Sequence, residues 1–206
     1  MSSCQLVKDI SVRQAITFHM FHRIRESMRP KTRKSQLKNI VEADETYISG
    51  KHRGKRDRGS ENKFPVFGMV KRQEVVRSMP VERVNSETLK GLIWQNVSTN
   101  AQIITDEWKA YNNLEKEFSG HGIVNHGKKD YIKNSSIHFN NIENFWSLLK
   151  RGILGIYHHV SPEHLSRYCD EFQFRYNSRK DNDTKHFTAM LERCECRLMY
   201  KTLIVK

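Results

Sequence analysis

Three acidic residues stand among apolar or small neighbours: Asp44 in "VEADETY", Asp106 in "IITDEW" and Glu143 in "HFNNIENFWSLLKRG". An acid inside a buried strand is costly unless something cationic pairs with it. Asp44 falls within such a predicted strand, and Asp106 closes another, at the kind of strand end where open α/β sheets build their sites. If those two strands are neighbours, the carboxylates approach each other and repel unless a divalent cation lies between them. An all-oxygen site that keeps several waters suits magnesium or manganese. A helix glutamate is ordinarily a solvated surface residue. Glu143, however, opens a helix that can return across the sheet and offer a third carboxylate. Lys150 follows seven residues later, close to two full turns, so it leaves the same helix face and can reach a phosphate. Two metals bridged by carboxylates are a device for in-line displacement at phosphorus.

The elements that must position these residues are read from periodicity. Residues 3–28 suggest two short helices about a tight turn, with Ser11 as a cap. They outline a helix-turn-helix remnant or, equally, a basic helical extension. Strands are predicted over 40–50, 64–72 and 75–82, then a helix over 85–97 beginning with a Ser-x-x-Leu cap region. A strand over 101–108, a helix over 108–118 and a strand over 121–126 follow. From 138 to 176 the pattern is helical, broken near Gly152–Gly155 and restarted with Ser161 as cap and Pro162 in the first helical position. A last helix starts at 184. The order implies a mixed α/β sheet with helices on both sides.

Charge separates the function classes. The chain carries 36 Lys and Arg against 23 Asp and Glu, a net +13, which suits a polyanionic partner better than a small neutral substrate. Six of the cations, Lys51, Arg53, Lys55, Arg56, Arg58 and Lys63, fall in the Gly-rich stretch "KHRGKRDRGSENK". It reads as a loop for DNA phosphates, or as a solvated hairpin tip. No run of about 18 apolar residues and no charged-then-apolar opening segment exists, so no membrane partner is expected. Cys4, Cys169, Cys194 and Cys196 are too scattered for a disulfide framework, and the CxC pair lacks a second CxxC to complete a zinc site. Reduced thiols in a cytoplasmic protein are the expectation. Trp108 and Trp146 fall at apolar-face spacing and read as core, with stacking on a base as the other use.

"VEADETYISGK", "KFPVFGMVKR", "IITDEWKAY", "VNHGKKDYI" and "HFNNIENFWSLLKRGILGIYHHVSPEHLSRYCDEFQFRYNSR" together closely resemble the ISXO2-like catalytic domain of bacterial insertion-sequence transposases of the DDE type. The resemblance implies an α/β fold, an RNase H-like mixed five-stranded sheet flanked by helices, here with a short N-terminal helical extension. It implies Asp44 and Asp106 as metal-binding aspartates, Glu143 as the third acid and Lys150 as the basic residue two turns on. Asn140 is the reserve for the third position, and His138 either touches the scissile phosphate or satisfies the helix start. Arg151, beside Lys150, joins the DNA-binding set. Also implied are Mg²⁺ or Mn²⁺, two ions, double-stranded DNA at element ends and target, a homo-oligomer on DNA, and a bacterial, nucleoid-associated setting.

The expected organisation is a helix-turn-helix-like remnant over 1–30, an RNase H-like DDE catalytic domain over 31–183, and a C-terminal helix and tail over 184–206. Similar proteins carry a zinc ribbon ahead of the helix-turn-helix, and residues 1–30 supply no cysteine for one beyond Cys4. Two other functions therefore stay open: an RNase H-like nuclease without strand transfer, and a truncated, catalytically idle DNA-binding regulator.

Overall fold

A computed structural model describes residues 1–30, 35–49, 63–124, 140–194 and 199–204. The chain divides into two compact units, residues 32–148 and residues 1–31 with 149–206; the division falls inside one helix, after Leu148.

The unit over 32–148 is built on five strands: β1 (Ile40–Ser49), β2 (Lys63–Lys71), β3 (Val76–Pro80), β4 (Gln102–Asp106) and β5 (Gly120–Val124). Their order is β3-β2-β1-β4-β5. The first three form an antiparallel meander, and β4 and β5 add to the other edge of β1 in parallel. This is the mixed five-stranded sheet that the sequence predicts. Parallel neighbours need crossover connections. The helix α3 (Ser86–Asn96) lies between β3 and β4, and two 3₁₀ turns, Lys109–Tyr111 and Leu114–Lys116, lie between β4 and β5.

Alternation along β1 sends Val41 and Ala43 to one face and Glu42, Asp44 and Thr46 to the other. On the first face Val41, Ala43, Phe67, Met69 and Ile103 pack with Leu89 and Ile93 of α3 and with Tyr111 and Leu114, and all are nearly or fully buried. The second face meets the start of helix α4 (Asn140–Gly152), whose Ile142, Phe145 and Trp146 are buried. Helices thus cover both sides of the sheet.

Several boundaries differ from the sequence reading, each for a local reason. The 108–118 stretch forms two 3₁₀ turns rather than one helix, because Asn113 between them takes a left-handed φ of 69°. Asn85, not Ser86, caps α3, accepting from the Thr88 N–H at 2.8 Å. Ser11 does not start the second helix: with φ 53° it ends α1 (Ser3–Ile10), and α2 (Gln14–Met28) begins after Arg13. The break near Gly152–Gly155 is a π-helix, Ile153–Tyr157, ended by His158 at φ 62°. Ser161 and Pro162 open α5 (Pro162–Asn177) as expected, followed by α6 (Asp183–Leu191) and α7 (Tyr200–Ile204).

In the unit of 1–31 with 149–206, α2 packs on α5 through a buried ion pair. Arg25 Nε lies 2.7 Å from Glu171 Oε2, with both side chains about 5 % exposed or less. The Tyr157 hydroxyl donates to Glu171 at 3.1 Å, and the Arg25 guanidinium stacks 4.0 Å from the Tyr168 ring centre. Removing one partner of such a pair leaves an uncompensated buried charge, at a cost of about 3–5 kcal/mol. Beside it His22 is fully buried, 4.5 Å from the His164 ring and 4.4 Å from Phe18, and neither ring nitrogen has a hydrogen-bond partner among the described residues. Burial, reinforced by the nearby charges of Arg25, His164, Arg167 and His19, holds its pKa down at about 3.

That imidazole makes this unit acid-sensitive. The unfolded chain binds a proton near pH 6.5 that the folded His22 refuses until about pH 3, so stability falls as pH drops through that window. The limiting slope is about 1.4 kcal/mol per pH unit. Thermal melts followed by circular dichroism between pH 7 and 4 should show a shallower loss for His22→Phe than for wild type; parallel curves would count against it.

Candidate active site

Register decides which acids meet. β1 and β4 pair Ile40 with Gln102, Val41 with Ile103 and Glu42 with Ile104. Asp44 and Asp106 each lie two residues beyond the last of these pairs, on adjacent parallel strands, close enough for the charge of Asp106 to act on Asp44. Asp44 is half-buried, and its Oδ2 accepts the Trp146 indole N–H at 2.9 Å. Burial pushes its pKa up to about 7, with the negative charges of Glu45 and Asp106 adding to the rise; the Trp146 bond opposes it. Asp106 is oriented by its own turn, since Oδ1 accepts the Trp108 N–H at 3.1 Å.

Glu45 points to the opposite face, where its Oε2 accepts the Tyr111 hydroxyl at 2.8 Å. Burial and the surrounding acids Glu45, Asp44 and Asp106 raise the tyrosine above its ordinary pKa. Trp108 stacks edge-on to Tyr111 and packs against the core, in keeping with a packing role.

Seating of α4 on the acidic face depends on an absent side chain. Gly68 pairs with Asp44 across β1 and β2. A Cβ there would lie 2.5 Å from Trp146 Cη2 and 3.0 Å from Ile142 Cδ1, closer than packed atoms approach. The small residue lets the indole lie flat enough on the sheet to reach Asp44. Trp146 is therefore both core, at 5 % exposure, and a hydrogen-bond donor to the candidate site.

Glu143 lies in the first turn of α4, one turn before Trp146, and is exposed. The structure thus brings Asp44 and Asp106 together and sets Glu143 on the helix that covers their face. Among the described residues, no group of three or more His, Cys, Asp or Glu is gathered closely enough to hold a metal. The donor set itself fits a hard divalent cation: two carboxylates, both half-buried, crowded by like charge that a cation would relieve. Asn140 is the first residue of α4 and exposed, and Lys150 and Arg151 are exposed in its last turn. Lys63 begins β2 and is half-buried. His138, Lys51, Arg53, Lys55, Arg56 and Arg58 lie outside the described residues.

One residue on the acidic face escaped the sequence reading. Glu42 is fully buried, and its carboxylate accepts from the first turn of α4 and from Arg72. The available signal was its position two residues before Asp44, hence on the same face of the strand.

The ISXO2-like transposase domain matches residues 36–177, a span running from just before β1 to the last residue of α5. The chain belongs to this family. It is also 28 % identical over 103 residues to an uncharacterized transposase-like protein of Haemophilus influenzae, covering 50 % of this chain and 81 % of that protein. Among solved structures it is similar to the simian T-cell lymphotropic virus intasome in complex with the PP2A regulatory subunit B56 gamma, at 14 % identity and a TM-score of 0.41. There the alignment spans 85 % of this chain and 64 % of the other. A pre-cleavage Mos1 transpososome aligns at 13 % identity and a TM-score of 0.37, over 96 % and 76 % of the two chains. Membership rests on the domain match and not on these likenesses in shape.

Two outcomes follow from the seat of α4 in this transposase domain. Gly68→Ala must displace the Trp146 ring, and overpacking of this kind costs about 1–3 kcal/mol, measurable by urea denaturation; an unchanged midpoint would show that the ring relaxes freely. Trp146→Phe removes a bond that favours the charged form of Asp44, so the Asp44 pKa should climb above about 7 in a carboxyl-carbon NMR titration. A fall would contradict the assigned role of the indole.

Proposed function

We propose that this chain is a DDE-type transposase that cleaves phosphodiester bonds at the ends of an insertion sequence and joins the freed 3′-hydroxyl to target DNA. The observation that carries the reading is the pair of aspartates on adjacent parallel strands, each two residues past the last paired position, with Asp44 pushed up to about 7 by burial and by like charge that includes Asp106. Family membership supports the reaction class. Asp44 and Asp106 would hold magnesium or manganese, two ions in all, with Glu143 as third ligand and Asn140 in reserve. Bound there, the cations supply charge stabilisation to the attacking and leaving oxygens of an in-line displacement.

The chain's own residues do the rest. Trp146 and the Trp108 N–H hold the two aspartates in fixed rotamers through their hydrogen bonds. Lys150 steadies the phosphate beside the scissile bond, and His138 contacts it. Lys51, Arg53, Lys55, Arg56, Arg58, Lys63 and Arg151 track the DNA backbone, where each phosphate neutralised releases counterions. Double-stranded DNA, first element end and then target, is the partner, and a homo-oligomer holds the two together. We assign 1–30 to a helix-turn-helix-like extension, 31–183 to the catalytic domain and 184–206 to a C-terminal helix and tail. No helix among the described residues is long and apolar enough to cross a membrane; a bacterial nucleoid is the setting this function requires.

The test is nicking and joining of duplex DNA carrying the terminal sequences that flank the gene, with Mg²⁺ or Mn²⁺. Asp106→Asn should slow nicking on the order of 10³-fold, the equivalent of several kcal/mol of lost charge stabilisation. Equal nicking by both proteins would remove the catalytic assignment. Nicking without joining would point to a nuclease, and salt-sensitive binding without cleavage to a regulator.

A further inference from the structure

We propose that Glu42 is a positioning residue: its buried carboxylate clamps the first turn of α4 to the sheet and so sets where the third acid, Glu143, stands. The inference rests on the transposase reading above and concerns a residue outside the Asp-Asp-Glu set.

Four hydrogen bonds saturate this carboxylate. Oε2 accepts the backbone N–H groups of Asn141 and Ile142, each at 3.0 Å; Oε1 accepts Asn141 Nδ2 at 2.8 Å and Arg72 Nε at 3.0 Å. The second and third N–H groups of a helix have no partner within it, and a side chain just ahead of the helix commonly accepts from them. Here the acceptor comes from a strand about a hundred residues earlier in the chain. The entry of α4 is therefore tied to β1 directly.

Charge and location make the clamp strong and specific. A fully buried carboxylate is tolerated only when paired and hydrogen-bonded, and Arg72, just past the end of β2, supplies the cation. The helix N-terminus adds its own partial positive charge. Ile142, Phe145 and Trp146 already hold α4 against the sheet by apolar burial. Apolar contact is non-directional and permits sliding or rotation about the helix axis, whereas two backbone bonds to one carboxylate oxygen do not. Glu143 is the next residue after the second of those amides. Asp44 is two residues after Glu42 on the same face of β1. One strand thus carries the first acid and the anchor for the helix that bears the third.

The experiment pairs amide hydrogen exchange with kinetics. Glu42→Gln keeps the shape but offers one acceptor oxygen instead of two. Exchange at Asn141 and Ile142 should rise about tenfold or more, while Phe145 and Leu149 keep their protection. If that variant does not fold, Asn141→Ala, which removes the side-chain bond alone, should raise exchange at Ile142 by a smaller factor. On element-end DNA with Mn²⁺, Glu42→Gln should lower kcat about ten- to a hundredfold with KM for DNA unchanged. A residue acting through Glu143 predicts that Glu42→Gln/Glu143→Gln is no slower than Glu143→Gln alone. Unchanged exchange at Asn141 and Ile142, or a double variant slower by the full factor of Glu42→Gln, would overturn the proposal. Absence of nicking by wild type would defeat the transposase reading instead, and the exchange result would still decide whether the clamp holds the helix.

Discussion

Carboxylates turned toward a helix rather than toward water are the constraint around which the unit of 32–148 is arranged. Glu42 and Asp44 alternate onto the face of β1 that α4 covers, and each needs a donor from that helix. Glu42 takes its donors from the first turn. Asp44 takes the indole N–H of Trp146 one turn further on. Without the helix, both strand acids would lose most of their hydrogen bonds; without the acids, the helix would lose its first-turn acceptors. This mutual dependence ties α4 to the sheet more tightly than apolar packing alone.

The two strand acids nevertheless differ in kind. Glu42 is fully buried and has a guanidinium within hydrogen-bond reach, so its negative charge is answered by Arg72. Asp44 is half-buried, has acids for neighbours and receives a single neutral donor from α4. Burial and like charge push its pKa up to about 7, and charge of that kind invites a cation. One carboxylate is thus paired and saturated and the other crowded by like charge, two residues apart on one strand.

In the unit of 1–31 with 149–206 a comparable logic operates without an acidic site. Arg25 on α2 and Glu171 on α5 form a buried pair capped by Tyr157 and flanked by the Tyr168 ring. Arg175 joins the same carboxylate at 2.8 Å. Gly152 meets Phe172 where a Cβ would lie 2.0 Å from the ring, so the end of α4 approaches α5 without a side chain between them. The pairing of 1–31 with the C-terminal helices could not be anticipated from residues 3–28, whose pattern fits a helix-turn-helix and a packed extension equally well.

Much of the unit of 32–148 was legible in local pattern. Alternation over 40–50 and 64–72, the strand ending on Asp106 and the apolar stripe of α4 follow from side-chain periodicity, which is a property of neighbouring residues. Asp44 and Asp106 could be singled out because an acid within an apolar strand is costly wherever the strand goes. Failures came where a competing local effect won, as at Asn113, or where no local signal existed, as in the reach from Glu42 to the amides of Asn141 and Ile142. Composition and motif order alone determined the kind of protein, its charge and the two strand acids, since each rests on residue identity and short spacing. Only tertiary structure decided that Gly68 makes room for Trp146, that the indole bonds Asp44 and that Glu42 holds α4, because register and helix placement join residues whose separation along the chain carries no trace of their contact.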